Sequence, residues 1–219
     1  MIYLNNYGWN DKLSQLKQES TYNALTHGRI SIVHRTCYEV VSENGLFQCE
    51  LTGNMMYGKS DIELPCTGDW VLFQPFDEHK GIIVDMLPRE RTLYRKKNGT
   101  VADKQAIASY VDKAFIVQSL DDNFNVRRAE RFMVQMQEEN INPVLVFNKA
   151  DLGFDEQKVE EQIRHIARQI PVFFTSIHQP QTILQLRESI SAGETVVFVG
   201  SSGVGKSSLV NALCEKSVL

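Results

Sequence analysis

The stretch that decides the fold of this chain is Gly200-Ser201-Ser202-Gly203-Val204-Gly205-Lys206-Ser207. It matches the pattern G-x-x-x-x-G-K-[ST], which is typical of a loop that holds phosphate groups. Glycines in such a loop let consecutive backbone amides point at phosphate oxygens, and the N-terminus of the next helix adds positive potential. Lys206 supplies a positive charge to the outer phosphates, and the Ser207 hydroxyl is a ligand for Mg²⁺. We therefore take Lys206 and Ser207 as candidate catalytic residues.

The sequence on both sides of this loop fits the same interpretation. An apolar run, residues 196–199, precedes the loop and predicts a strand, and a helix is predicted to begin near Ser208. The alternative is a glycine-rich turn that carries Lys-Ser by chance. The complete motif between a strand and a helix disfavours that alternative.

A second motif, Asn148-Lys149-Ala150-Asp151, directly follows the apolar run 144–147. A carboxylate at Asp151 can accept two hydrogen bonds from guanine, one from the ring N–H and one from the exocyclic amine. Adenine has no such amine there, so the carboxylate would be left partly unpaired. Asn148 would brace the loop, and the stem of Lys149 would pack on the base or the ribose. Beside a phosphate loop, this motif indicates a guanine site.

A third candidate, Thr175-Ser176, follows the short apolar run 172–174. It occupies the place of a third guanine-contacting loop, in which a backbone N–H meets the base oxygen. Thr-Ser after a strand is usually only a turn, so this assignment depends on the other two motifs.

The order of the motifs is reversed relative to an ordinary small GTPase, in which the phosphate loop comes first. Here Asn148 precedes Gly200 by 52 positions. A three-dimensional site survives such a circular permutation when the original termini lie close together, because only the position of the chain break changes.

Short apolar runs alternate with helical segments from about residue 110 onward. The first run is 114–117, and a helix is predicted over 127–140. Val159, Ile163, Ile166 and Ile170 recur at helical spacing, and Asp155 and Pro171 are the predicted start and stop signals of that helix. Short apolar strands separated by helices indicate a parallel sheet covered on both faces.

Residues 28–90 predict a different architecture, with five or so short strands and turn residues between them. The pair Asn44-Gly45 lies between alternating runs and predicts a hairpin whose two central residues both have positive φ. This spacing favours a small barrel of the oligonucleotide-binding (OB) type, with a small sandwich as the alternative.

The segments around this barrel complete the domain plan. A helix is predicted over residues 9–24, with Asn10 or Asp11 as its cap. Residues 89–103 are predicted to be a linker. The expected domains are an N-terminal helical extension (1–27), an OB-type RNA-binding barrel (28–95) and a nucleotide-binding domain (96–219).

Composition and charge narrow the function classes. The net charge is −4 and neither half of the chain is basic, so any nucleic-acid contact must use a local patch. Arg95-Lys96-Lys97 is the better candidate, because Arg127, Arg128 and Arg131 fit the commoner case of arginines on a solvated helix face. The apolar runs are far shorter than the ~20 residues of a membrane span, and the N-terminus does not resemble a secretory signal. We expect a cytoplasmic protein without a membrane partner.

The cysteines and histidines do not predict a metal site in this chain. The four cysteines form no Cys-x-x-Cys pair, and we expect reduced, mostly buried thiols. The five histidines show no pair at i, i+4 and are interpreted as ordinary surface or half-buried residues.

With these motifs, the chain resembles the circularly permuted GTPases, specifically the family of ribosome small-subunit-dependent GTPase A. The resemblance covers nearly the whole chain. It is carried by Tyr7-Gly8-Trp9-Asn10, Gly28-Arg29-Ile30, Gly68-Asp69-Trp70-Val71, Leu87-Pro88-Arg89, Ala108-Ser109-Tyr110-Val111-Asp112, residues 143–151 and residues 203–208. It implies a multi-domain fold, in which an all-β OB-type barrel is followed by an α/β circularly permuted P-loop GTPase domain.

The resemblance also implies a function and its partners. The family hydrolyses GTP, is stimulated by the small ribosomal subunit during late maturation, contacts its rRNA and is expected to be monomeric. Its cofactors are GTP or GDP with Mg²⁺ held by Ser207, and Zn²⁺ in a C-terminal domain. The implied nucleotide-binding residues are Asn148, Lys149, Ala150, Asp151, Thr175, Ser176, Gly200, Ser201, Ser202, Gly203, Val204, Gly205, Lys206, Ser207 and Ser208.

The family pattern departs from this sequence after Ser207. A switch threonine, an Asp-x-x-Gly loop that senses the γ-phosphate, and the zinc cluster should follow, and the sequence contains no Asp-x-x-Gly. We therefore expect a truncated form without the switch half and the zinc domain, with poor hydrolysis. The alternative function is a guanine-nucleotide- and RNA-binding fragment without turnover. An ATPase is disfavoured by Asn148 and Asp151.

Overall fold

The computed structural model describes residues 1–96, 104–121, 124–168 and 170–215. The chain forms two compact units: Met1–Val111 with Ala192–Thr195, and Asp112–Ser191 with Val196–Leu219. The expected boundary between residues 95 and 96 falls inside the first unit. The functional domain limits remain a prediction.

The first unit contains a closed five-stranded barrel with the strand order β1-β2-β3-β5-β4. Its elements are β1 (Thr26–Val33), β2 (Tyr38–Ser42), β3 (Gly45–Leu51), a short helix α2 (Gly53–Met56), β4 (Trp70–Asp77) and β5 (Lys80–Met86). Neighbouring strands are antiparallel except β3 and β5, which are parallel. Closure leaves these strands without a free edge. The prediction of a barrel is confirmed, and the sandwich alternative is wrong.

The barrel interior is filled by side chains that alternate along the strands. Val40, Phe47, Val71, Phe73 and Ile83 are among its buried members. Alternate residues of a strand point to opposite faces, so the period-2 pattern in the sequence fixes which side chains enter the core.

An ion pair is buried at the start of β4. The Asp69 carboxylate accepts hydrogen bonds from Arg89 Nε at 2.9 Å and Arg89 Nη2 at 2.6 Å, and from the Cys66 N–H at 2.7 Å. Arg89 also donates to the carbonyl groups of Ile62 and Leu64. Burial alone would lower the pKa of Arg89, but the hydrogen bonds and the charge of Asp69 outweigh it and raise that pKa. The pair fastens the segment before β4 to the chain that follows β5.

The hairpin between β2 and β3 forms as predicted, but its turn differs. Ser42 pairs with Gly45, so Glu43 and Asn44 are the central residues. Of these positions Gly45 has the positive φ, at 124°, and the two central residues do not. The prediction of positive φ at both central residues is therefore wrong. The residue with positive φ follows the central pair, and glycine adopts it without a Cβ clash.

Two further segments of the first unit differ from the predictions. Helix α1 is Asp11–Glu19, with Asn10 as its N-cap, so it ends before residue 24. Strand β6 (Leu93–Lys96) lies inside the predicted linker 89–103, and it pairs antiparallel with β7 (Lys104–Ala108), which begins just after that segment. Leu93, Ala106 and Ala108 are buried, which explains why this segment is ordered as a hairpin. Lys97 of the predicted basic patch lies outside the described residues.

The second unit contains a four-stranded sheet with the order β10-β9-β8-β11. The strands are β8 (Lys113–Ser119), β9 (Asn142–Asn148), β10 (Val172–Thr175) and β11 (Val196–Val199). All three pairings are parallel, as predicted. The carboxyl ends of parallel strands share one edge of the sheet, where ligands bind in open α/β sheets.

Helices cover both faces of this sheet. On one face lie α3 (Val126–Glu138) and α4 (Glu156–Ala167), and on the other lie α5 (Pro180–Glu188) and α6 (Lys206–Cys214). Asp155 caps α4 as predicted, accepting a hydrogen bond from the Lys158 N–H. Helix α5 was not predicted, because its short polar segment carries only Ile183 and Leu186 as buried residues. None of the described helices is long and apolar enough to cross a membrane.

Candidate functional site

The phosphate-loop candidate lies between β11 and α6. Gly200, Gly203 and Gly205 have φ values of 147°, 79° and 92°, and Gly205 is the N-cap of α6. The buried Val204 anchors the loop, whereas Ser202, Gly203, Ser207 and Ser208 are exposed. The first N–H groups of a helix have no partner within it, so this exposed helix start presents donors to an anion.

Close contacts explain why two of these positions are glycine. A Cβ on Gly200 would lie 2.3 Å from the Val117 carbonyl oxygen, and a Cβ on Gly205 would lie 2.3 Å from Asn148 Nδ2. Both distances are shorter than any real Cβ contact. A Cβ on Gly203 would meet nothing within 4 Å, so only its positive φ favours glycine there.

The Lys206 side chain folds back over the loop. Its Nζ donates to the carbonyl oxygens of Gly200 at 3.0 Å and Ser201 at 2.7 Å. The ammonium group therefore lies beside the backbone amides that would face phosphate oxygens, which is where a lysine reaches the outer phosphates in this motif.

The side chain of Asn148 connects all three predicted loops. Its Nδ2 donates to the Val204 carbonyl oxygen at 2.9 Å, and its Oδ1 accepts from the Thr175 hydroxyl at 3.3 Å. Asn148 is buried at the end of β9. One amide thus holds the loop after β9 against both the phosphate loop and the loop after β10.

Asp151 lies in a short 3-10 helix, Ala150–Leu152, that follows β9. The Ser176 hydroxyl donates to its carboxylate, and this hydrogen bond is the main reason why the pKa of Asp151 lies below its ordinary value. The carboxylate is therefore ionised at neutral pH and can accept hydrogen bonds. The Ser176 N–H donates to the Thr182 hydroxyl at 3.0 Å, so this N–H is already used within its own loop. The group of Ser176 that contacts Asp151 is its hydroxyl.

A cavity of about 200 Å³ opens between these loops. It is lined by Asn148, Lys149, Asp151, Leu152, Ile177, His178, Gly205 and Ser208. Five of these residues belong to the predicted site, and the structure brings them together. Leu152, Ile177 and His178 were not in the predicted set. Apolar side chains beside a carboxylate suit a flat base that stacks and donates hydrogen bonds.

Three more polar contacts of the site were missed. Lys149 Nζ lies 2.9 Å from Asp121 Oδ2, and the Ser119 hydroxyl donates to Asp121 Oδ1 at 2.6 Å. Arg128 is half-buried and donates from Nη1 to the Ser201 hydroxyl at 2.7 Å, so the expectation of a solvated helix face is wrong for this residue. Asp121 lies two residues after the end of β8, and a polar residue just after this inner strand was the signal that could have revealed it.

The residues fit a nucleotide-bound Mg²⁺. Ser207 places an exposed hydroxyl in the first turn of α6, and Mg²⁺ prefers oxygen ligands from one or two side chains together with phosphates and water. Within the described ranges, no group of three His, Cys, Asp or Glu side chains could hold a metal ion.

The fold and the site together define a class. It comprises α/β proteins in which a parallel sheet carries a G-x-x-x-x-G-K-S loop beside an Asn-Lys-x-Asp loop, with a closed five-stranded barrel in the same chain. The family model described as RsgA GTPase matches residues 86–219. The chain belongs to the RsgA GTPase family.

Relatives of known name agree with this assignment. The chain is 75% identical over 213 residues to small ribosomal subunit biogenesis GTPase RsgA 1 of Bacteroides thetaiotaomicron. The matched region covers 97% of this chain and 60% of that relative. It is 35% identical to RsgA of Methanosarcina acetivorans, covering 96% of this chain and 56% of that protein. The chain spans between 55% and 61% of the length of the curated relatives it matches.

Two solved structures share the fold. The crystal structure of YjeQ from Thermotoga maritima matches with a TM-score of 0.67 at 27% identity, covering 86% of this chain and 64% of that one. YloQ, described as a circularly permuted GTPase, matches with a TM-score of 0.62 at 23% identity, covering 89% of this chain and 66% of that one. The second match concerns the fold alone.

Proposed function

We propose that this chain binds GTP and hydrolyses it in assisting the late maturation of the small ribosomal subunit. The observation that carries the proposal is the hydrogen bond from Asn148 Nδ2 to the Val204 carbonyl oxygen. It sets a loop suited to guanine beside a loop suited to phosphates, although their order along the chain is reversed. The printed names of the relatives supply the biological context.

Each part of the site has a role in this proposal. The Asp151 carboxylate accepts hydrogen bonds from the guanine ring N–H and the exocyclic amine, and Lys206 neutralises charge on the outer phosphates. The Ser207 hydroxyl is the protein ligand of Mg²⁺, which, when bound, stabilises charge on the phosphate oxygens. The other proposed nucleotide-binding residues are Asn148, Lys149, Ala150, Thr175, Ser176, Gly200, Ser201, Ser202, Gly203, Val204, Gly205 and Ser208. Together these groups bind the base at one end and the phosphates at the other.

The barrel is proposed to contact ribosomal RNA. Closed barrels of this size are common oligonucleotide-binding modules, and the exposed Arg95 lies on the adjoining strand β6. The net charge of −4 limits the number of phosphate contacts. We further propose that the chain acts in the cytoplasm as a monomer on the small ribosomal subunit, with no membrane partner.

Nucleotide selectivity tests the first part of the proposal. The chain should bind GDP far more tightly than ADP, as measured by calorimetry. Asp151→Asn should lower GDP affinity by about 10- to 100-fold and favour xanthosine diphosphate, whose ring oxygen replaces the amine. Asp155→Asn is the matched control, because Asp155 caps α4 outside the cavity and asparagine is an equally good cap. Equal affinity for ADP and GDP would contradict the proposal.

Association with purified small ribosomal subunits tests the second part. We expect binding that weakens only moderately with salt, with about one log unit of affinity per log unit of salt for each phosphate contact. Arg95→Ala should reduce that slope by about one if the basic patch touches RNA. Absence of binding at low salt would overturn the ribosomal assignment.

A further inference from the structure

Arg128 lies in the first turn of α3, directly beside the phosphate loop. The turn is fixed because the Asn125 side chain accepts a hydrogen bond from the Arg128 N–H at 3.0 Å. The half-buried guanidinium reaches the loop and donates from Nη1 to the Ser201 hydroxyl at 2.7 Å. A guanidinium is a planar fork of five N–H donors with no acceptor, so one arginine can contact several oxygens at a time.

Two cations converge on one residue of the loop. Lys206 Nζ donates to the carbonyl oxygen of Ser201 at 2.7 Å, while Arg128 donates to its hydroxyl. Both side chains carry positive charge, which attracts an anionic phosphate group to this part of the loop. Arginine also matches the geometry of phosphate oxygens better than a point charge does.

The position of Ser201 indicates which phosphate Arg128 would meet. The cavity that suits the base is lined by Gly205 and Ser208, at the helix end of the loop. Ser201 lies at the opposite, strand end, where Lys206 also lies. A nucleotide whose base occupies the cavity therefore extends its terminal phosphate toward Ser201.

We propose that Arg128 contacts the terminal phosphate of GTP and makes the site distinguish GTP from GDP. This inference rests on the proposed function. On GTP binding, the guanidinium exchanges its hydrogen bond with the Ser201 hydroxyl for one with a γ-phosphate oxygen. GDP has no γ-phosphate, so the guanidinium keeps its contact with Ser201.

Three variants of the whole chain test this, with affinities for GDP and for a slowly hydrolysed GTP analogue measured by calorimetry. Arg128→Ala should weaken binding of the GTP analogue by about tenfold or more and binding of GDP by less than about threefold. Arg127→Ala removes the same charge from the exposed neighbouring position on α3 and should leave the ratio of the two affinities unchanged. Ser201→Ala removes the hydroxyl that Arg128 must leave when GTP binds, so it should not weaken binding of the GTP analogue more than binding of GDP.

The outcomes separate this inference from the function on which it rests. Equal losses for both nucleotides in Arg128→Ala, or a GTP-selective loss in Ser201→Ala of the same size, would show that Arg128 only shapes the loop. A GTP-selective loss in Arg127→Ala would reduce the effect to general electrostatics and also overturn the inference. Equal affinity of the unmodified chain for ADP and GDP would instead contradict the proposed function. Thermal unfolding of each variant checks that the fold is retained.

Discussion

At the scale of single residues, Gly203 and Gly205 share a backbone region but have different surroundings. Both have positive φ, which costs about 1 kcal/mol for a residue with a Cβ. Of the two, only Gly205 also lies against another side chain, because a Cβ added at this position would overlap Asn148 Nδ2. The two positions therefore separate the cost of backbone strain from the cost of a steric clash.

Alanine substitutions at these two glycines should differ in severity. We expect Gly203→Ala to lower the free energy of unfolding by about 1 kcal/mol, from strain alone. Gly205→Ala should cost about 1–3 kcal/mol more and should also weaken GDP binding, because Asn148 must move. Chemical denaturation and calorimetry provide both quantities. Equal effects of the two substitutions would show that the contact with Asn148 is readily relieved.

At this scale, the positions of functional residues were predicted correctly where a sequence motif is specific to one kind of binding site. Asn148, Asp151 and Gly205 were expected near one another, and they line one cavity. Arg128 and His178 were missed because the direction of a side chain depends on helix start points and loop geometry, which no local pattern specifies. The roles of the predicted residues in binding remain a prediction.

At the scale of elements, the buried pair of Asp69 and Arg89 holds the segment before β4 in place. The side chain of Asp69 is fully buried, whereas the side chain of Arg89 is 12% exposed. A buried carboxylate that loses its cation is strongly destabilising, because the charge has left water without a replacement partner.

Removing the Arg89 guanidinium should make the barrel easier to unfold. We expect Arg89→Ala to lower the free energy of unfolding by about 3–5 kcal/mol. Lys12→Ala is the control, since Lys12 pairs with Glu90 near the surface with its own side chain 67% exposed, and it should cost less than about 1 kcal/mol. Urea denaturation followed by tryptophan fluorescence reports the difference through Trp9 and Trp70, which both lie in the first unit. Similar costs for both variants would mean that water replaces the guanidinium.

Element prediction worked where apolar periodicity was strong. The strands of the parallel sheet were located to within two residues at each end, since a doubly covered strand is a short continuous apolar run. The β6–β7 hairpin was missed because its basic composition suggested a linker, although Leu93, Ala106 and Ala108 are buried. The β2–β3 turn shows that a dipeptide can identify a hairpin without specifying its turn type.

At the scale of the whole molecule, the four cysteines differ in exposure. Cys49 and Cys66 are buried in the first unit, and burial raises the pKa of each thiol to about 12. Cys37 is half-buried and Cys214, in the second unit, is exposed. Only the thiolate reacts rapidly with alkylating reagents, so the buried pair should be unreactive in the folded protein.

Thiol labelling should therefore report unfolding of the barrel separately. At pH 8 we expect rapid labelling of Cys214, slower labelling of Cys37, and labelling of Cys49 and Cys66 only after the first unit unfolds. Mass spectrometry of peptides after a short pulse of maleimide, repeated along a urea series, gives the four rates. Fast labelling of Cys49 without denaturant would contradict the closed barrel.

The amide of Asn148 has a thermodynamic consequence. The Asn148 amide joins the loop 148–151, proposed to bind guanine, to Val204 of the phosphate loop. Ordering either loop therefore lowers the entropic cost of ordering the other. The two halves of a nucleotide should then bind cooperatively, and the coupling free energy must be reciprocal. Guanosine should tighten the binding of pyrophosphate by the same factor by which pyrophosphate tightens the binding of guanosine. Calorimetric titration in either order measures that factor, and a value of one would show that the two loops act independently.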